Sequence, residues 1–189
     1  MKPDQFTIDI LKGKRSGYYV ELGSADPIEG SNTYRLEAEY DWKGLSFDMD
    51  PAHADKFRTV RKNPVACEDA TKFNYIKYFE ENDFPKQIDY LQVDIDAGYT
   101  DGARSLGNPA SSLHGLLAIP LNTYRFSVIQ FEHDALLNFK YGSIRDAQRE
   151  ILDSFGYSLV CRLPHEDWWV DPNVVPYLEF RQFYQVTNS

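Results

Sequence analysis

Cysteine is scarce in this sequence: Cys67 and Cys161 are the only two in 189 residues. That is too few for a disulfide framework or a cysteine-built zinc site, and it suits a reducing compartment. Both read as small buried hydrophobes. Long apolar runs are missing as well. No stretch approaches the roughly 20 apolar residues a membrane helix needs, and the opening MKPDQFTIDI lacks the basic-then-apolar order of a secretion signal. The expectation is a cytoplasmic protein with no membrane partner. Positive charge is also short, because 20 Lys and Arg against 29 Asp and Glu leave a formal net charge of −9. Phosphate contacts draw much of their free energy from Lys and Arg releasing counterions, so nucleic acid is not an expected partner. The short basic clusters from Lys12 to Arg15 and from Arg58 to Lys62 read as solvated faces.

Aromatic residues are plentiful, chiefly 13 Tyr and 12 Phe, and 42% of the chain is apolar. Such a chain can bury a real core, which excludes global disorder. Its length suits one domain over 1–189, with a core over about 17–172 and a C-terminal extension over 173–189.

Strand and helix signals alternate. Tyr18 to Leu22 is an apolar run that stops at Gly23-Ser24-Ala25-Asp26-Pro27, as a buried strand enters a tight loop. Ser31-Asn32-Thr33 offers capping chemistry ahead of a helix over Tyr34 to Tyr40. Further strands are expected over Gly44 to Asp48, Pro64 to Asp69, Ile88 to Asp96 and Phe126 to Glu132. Helices are expected from Pro51 to Arg61 and over Ile144 to Phe155 with Gly156 as its stop, while Phe73 to Glu81 reads as a helical or irregular crossover and Gly102 to Pro120 as a loop carrying a short helix. Tyr157 to Arg162 and Asp167 to Val170 are close enough in sequence to pair antiparallel. This alternation predicts an α/β fold: a three-layer, Rossmann-like sandwich around a mostly parallel sheet that ends in an antiparallel hairpin.

In such sheets ligands sit beyond the carboxyl ends of the strands, at the switch point where the crossovers change direction. Those ends carry Gly23 to Asp26, Asp48 to Asp50, Glu68-Asp69, Asp94 to Asp96 and Glu132 to Asp134. Gly23 lets backbone approach a ligand closely. The loop has no G-x-G-x-x-G, and a pyrophosphate would face Asp26, Glu29 and Asp50, so a nicotinamide-dependent oxidoreductase is the weaker alternative. Asp48 is spaced to accept from ribose hydroxyls, and Asp69 can accept from an adenine amino group. An acidic rim suits a cationic adenosine cofactor such as S-adenosylmethionine.

Tyr19 to Asp26, Gly30 to Thr33, Asp41 to Asp48, Ile88 to Gly98, Tyr124 to His133, Phe155 to Tyr157 and Asp167 to Pro172, taken in order, resemble the FkbM-type methyltransferases. These are a branch of the class I enzymes that use S-adenosylmethionine. The resemblance implies a seven-stranded sheet and O-methylation of a sugar or other small hydroxylated acceptor. It implies Glu21, Gly23, Ser24 and Asp26 at the cofactor's amino-acid end, with Ser31 and Asn32 nearby, Asp48 on the ribose and Asp69 on the adenine. Asp94, near the end of the fourth strand, is a further cofactor-binding candidate. Two departures from the family pattern stand out: Asp94-Ile95-Asp96-Ala97-Gly98 shortens the second acid and displaces the glycine, and Gly23-Ser24-Ala25 replaces a Gly-Ala-Asn loop.

Asp94, Asp96, Glu132 and His133 come from two strand ends that this fold sets side by side. His133 can serve as a general base. Alternatively, Asp94, Asp96 and Glu132 can hold a divalent cation that acidifies the acceptor hydroxyl, or the group can only position the acceptor. Plainer roles stand beside these: a turn at Gly23, a cap at Asp96, a structural histidine at His133. Trp168 and Trp169 are adjacent on a strand and face opposite ways, which makes both core residues. Acceptor specificity is expected from Gly98 to Pro120 and Leu136 to Ser143. The aromatic tail from Pro176 to Tyr184 can dock on its own sheet or mediate a homo-oligomer. A methyltransferase fold without turnover, acting as an interaction module, is the alternative outside enzymology.

Overall fold

The computed structural model describes residues 1–95, 110–136 and 141–186, with the backbone alone for 185 and 186. Helix α1 (Pro3–Ile10) leads into β1 (Tyr18–Leu22), α2 (Tyr34–Tyr40), β2 (Lys43–Phe47), α3 (Pro51–Val60) and β3 (Val65–Ala66). The middle of the chain forms α4 (Tyr75–Glu81), β4 (Gln87–Val93), α5 (Ser111–Ala118) and β5 (Arg125–Glu132). The last part gives α6 (Gly142–Ser154), β6 (Ser158–Arg162), β7 (Glu166–Val170), α7 (Tyr177–Phe180) and β8 (Gln185–Val186).

Local chemistry sets several boundaries. Asp50 accepts from the Ala52 N–H at 2.8 Å and Pro51 opens α3, where its missing N–H costs nothing. Gly156 takes φ +77° after α6 and its N–H reaches the Asp153 carbonyl at 2.8 Å, the stop expected of a glycine there. The third strand is two residues long rather than six, because Asp69 turns back on Thr71 through its backbone N–H and hydroxyl, at 3.0 and 2.7 Å.

The sheet order is β3-β2-β1-β4-β5-β7-β6-β8. The strands β3, β2, β1, β4 and β5 run parallel, while β7 lies antiparallel to both β5 and β6. The expected seven strands and terminal hairpin are present, and the C-terminal extension adds β8, parallel to β6. Chain direction across the sheet reverses between β1 and β4, which puts the switch point at Gly23 and Asp94.

Register lines up the core. Val20, Leu91, Ile129 and Trp169 form one row across four strands and face α4, α5 and α6 through Phe79, Leu116 and Leu152. Tyr19, Tyr90, Val128 and Val170 form the next row and face Phe6 of α1 and Leu36 of α2. Trp168 and Trp169 lie in these two opposite cores, as strand alternation requires. The tail docks on its own chain: Phe180 is buried, the Phe183 ring meets Phe6 edge-on at 5.6 Å, and the Cys161 thiol lies 3.3 Å from the Phe183 carbonyl oxygen. Tyr177 and Leu178 remain exposed on its outer side.

Candidate active site

Three strand ends converge on one turn. The chain leaves β1 through Gly23 at φ +88°, and a Cβ there would stand 1.8 Å from the Asp94 carbonyl oxygen. Only glycine fits that approach. The N–H groups of Gly23 and Ser24 both donate to the Phe47 carbonyl, at 3.1 and 2.9 Å, and Asp94 N–H donates to Leu22 O at 2.9 Å. The ends of β1, β2 and β4 are thereby locked into one ledge. Two buried polar atoms at this ledge, Ser24 Oγ and Gln92 Oε1, have no hydrogen-bond partner among the described residues. Gln92 Nε2 lies 3.5 Å from the Gly23 carbonyl oxygen.

Asp48 ties two loops together. Its Oδ2 accepts from Ala25 N–H at 2.8 Å, its Oδ1 accepts from Asp50 N–H at 2.8 Å, and His53 Nδ1 stands 3.3 Å from Oδ2. Asp26 closes the next turn, accepting from the N–H groups of Ile28 and Glu29 and pairing with Lys56. The Lys56 bond and those two N–H groups hold its carboxyl well below the usual range. At the neighbouring strand end, Lys72 and Thr71 draw the Asp69 carboxyl down to about 2.

Glu21 lies below the ledge, turned into the protein. Its oxygens accept from the Thr33 and Ser46 hydroxyls at 2.8 and 2.5 Å, and burial pushes its carboxyl up. Ser31 Oγ accepts from the N–H groups of Thr33 and Tyr34, and Asn32 Nδ2 lies 3.4 Å from Gln130 Oε1. Gln130 in turn accepts from the Tyr90 hydroxyl at 2.6 Å and donates to Glu166.

Asp94 and Glu132 are brought together, as the sequence suggested. Val93 pairs with Phe131, so the next residues of both strands are neighbours, and the two carboxyl groups are hydrogen-bonded. Burial first, then the adjacent Asp94, pushes the Glu132 carboxyl far above the ordinary carboxylate range, with Asp134 and Glu166 adding to the effect. The pair therefore keeps a proton at neutral pH.

His133 is set apart from the pair. It follows Glu132 directly and its ring turns to Asp167, whose carboxylate is gripped by Gln148 and Arg149 of α6 at 2.5 to 2.8 Å. His133 Nδ1 accepts from Ala135 N–H at 3.1 Å, and Nε2 stands 3.8 Å from Asp167 Oδ1. Alternation along β5 is the reason: consecutive side chains cannot serve the same face. Asp96 and most of the two expected specificity segments lie outside the described residues. Among those described, no group of three or more His, Cys, Asp or Glu is arranged to hold a metal ion, and no helix is long and apolar enough to cross a membrane.

Arg61 is a functional residue that the sequence pattern does not reveal. In sequence it belongs to a cluster that reads as a solvated face, yet its side chain is 0% exposed and bonded to Glu37 at 2.9 Å. Its carboxylate partner lies in another helix, and no local pattern pairs the two. In-register pairing sets Gln92 beside Glu21 and Gln130 beside Gln92, a relation that no local sequence pattern carries.

No protein-family model matches the sequence, and no curated protein matches it. The fold, however, recurs among solved methyltransferase structures. A Clostridium thermocellum protein described as an rRNA methylase superimposes with a TM-score of 0.57 at 9% identity, covering 89% of this chain and 94% of its own. A TehB-like, S-adenosylmethionine-dependent methyltransferase from Corynebacterium glutamicum gives 0.52 at 11% identity over 90% and 88% of the two chains. The N-methyltransferase NodS from Bradyrhizobium japonicum gives 0.51 at 13% identity over 88% and 90%. At these identities the likeness is one of fold.

Proposed function

We propose that this protein is an S-adenosylmethionine-dependent methyltransferase of the FkbM type that methylates a hydroxyl of a sugar or other small molecule. The observation that carries the reading is the ledge at the switch point. Gly23 lets the β1 turn press against Asp94, and two buried polar atoms beside it, Ser24 Oγ and Gln92 Oε1, have no hydrogen-bond partner among the described residues. Buried polar groups are nearly always satisfied, so such a pair suits a polar ligand. The methyltransferase fold of the solved structures supports the same assignment.

In this reading Gly23, Ser24, Asp26, Ser31 and Asn32 meet the amino-acid end of the cofactor, with Asp48 on the ribose and Asp69 on the adenine. Glu21 contributes from beneath, fixing Thr33 and Ser46. When bound, S-adenosylmethionine supplies a methyl group activated on a sulfonium. The chain's task is to orient the acceptor and take its proton. The Asp94–Glu132 pair holds one proton across two carboxyl groups and accepts the second from the acceptor hydroxyl. His133, held against Asp167, supports the end of β5. The acceptor is a small molecule rather than nucleic acid, consistent with a net charge of −9, and the site is a cytoplasmic one.

The test is release of S-adenosylhomocysteine from S-adenosylmethionine over a panel of sugars and other hydroxylated molecules. Asp94→Asn removes the carboxylate that takes the acceptor's proton and abolishes turnover with an accepted substrate, whereas His133→Gln keeps at least about a tenth of it. Equal losses in both variants contradict the assigned base.

A further inference from the structure

Arg61 follows α3 directly, and its planar head sits beneath the loop that leads from Gly23 to α2. All five guanidinium N–H groups are engaged: Nε with Glu37 Oε2 at 2.9 Å, Nη1 with the Pro27 carbonyl at 2.9 Å and Ser31 Oγ at 3.4 Å, and Nη2 with the Tyr19 hydroxyl at 3.1 Å and Thr33 Oγ1 at 3.0 Å. Phe57 lies under the guanidinium, with its ring centroid 4.5 Å from Cζ. Three of the five bonds end on residues 27, 31 and 33, all within one loop. The other two end on α2 and β1. Thr33 passes the connection on, because its hydroxyl donates to Glu21 at the end of β1.

We infer that Arg61 is the positioning residue of the cofactor loop: it holds residues 27–33 in the shape that presents Ser31 and Asn32 to the ligand. The inference rests on the methyltransferase reading for the identity of that ligand. It rests on the hydrogen bonds alone for the ordering of the loop. Burying a guanidinium is costly unless every donor is satisfied and a carboxylate balances the charge. Here Glu37 supplies the balance, itself held by Lys62 N–H and Asn63 Nδ2 at 2.6 and 2.9 Å. Lysine offers a single charged point and no flat fork, so it cannot reach Pro27, Ser31 and Thr33 together.

The experiment is amide hydrogen exchange on the full-length protein without ligand, comparing wild type with Arg61→Lys and Thr33→Val, together with titration of S-adenosylhomocysteine. In Arg61→Lys, amides of residues 25–34 should exchange about 10-fold faster or more, while those of 88–93 in β4 stay within about twofold. A merely structural role would speed both segments alike. Thr33→Val, which removes one link and keeps the arginine, should speed the loop about threefold, and it carries the test if the lysine variant does not fold. The dissociation constant for S-adenosylhomocysteine should rise about 10-fold in Arg61→Lys. Unchanged loop exchange in a folded Arg61→Lys, or in Thr33→Val, overturns the inference. A wild-type protein that ignores S-adenosylhomocysteine overturns the methyltransferase reading and leaves the exchange result to decide the role of Arg61.

Discussion

The carbonyl oxygen of Asp94 stands 1.8 Å from the point where a Cβ on Gly23 would lie. Two strands parallel in the sheet therefore meet beyond their ends with no room for a side chain. The left-handed φ of +88° at Gly23 adds a second reason for glycine. Gly23→Ala should destabilise the protein by about 2–4 kcal/mol, from strain and clash together. Any fraction that folds should have a displaced β4 end and no measurable affinity for S-adenosylhomocysteine. Denaturant unfolding and titration check both. A variant as stable as wild type would mean that the turn relaxes freely.

Glu132 gives a pH signature. Its carboxyl is raised in the folded protein by burial and by Asp94, so the native state holds a proton that the unfolded chain releases above about pH 4.3. The stability this group contributes is present below that point and is lost as pH rises toward the folded value. Thermal melts of wild type should fall steadily between about pH 5 and pH 8, by at least about 1 kcal/mol. Glu132→Gln should flatten that slope. Parallel slopes in the two proteins would show that the pair does not share a proton.

The ends of β1, β2 and β5 were legible because apolar runs that stop at Gly, Asp or a charged cluster leave few alternatives, whereas β3 and β4 stop at Ala66 and Val93, short of the expected Asp69 and Asp96. Asp94 and Glu132 followed from the order of those ends. What the sequence hid was whatever depends on distant pairing. Phe6, Ile8 and Ile10 repeat every second residue, as in a strand, yet belong to α1 and are all buried, because tertiary packing overrides the local pattern. Arg61 looked solvated beside Arg58 and Lys62 until α2 brought Glu37 to it. The end of β5 at Glu132 was legible to the residue, and strand alternation alone separates His133 from Glu132. The two-residue strand β8 was not expected, since so short a segment carries no period.

The tail offers a test of packing. Phe180 is 2% exposed and lies in the same core as Phe6 and Trp168. Phe180→Ala should cost about 3 kcal/mol, the usual penalty for emptying a buried aromatic site, without altering cofactor affinity. Urea titration measures the first and calorimetry the second. A cost below about 1 kcal/mol would mean that the tail is loosely held.

The central claim is tested most directly by calorimetric titration of S-adenosylhomocysteine into wild type and Asp48→Ala, because it needs no knowledge of the acceptor. Asp48 joins Ala25 N–H to Asp50 N–H and, in this account, also takes the ribose. The account predicts micromolar binding to wild type, weakened by about 1–3 kcal/mol in the variant, as expected when hydrogen bonds to a charged group are lost. No heat and no thermal shift with wild type at millimolar ligand would contradict it, and the fold would then stand as an interaction module without its cofactor.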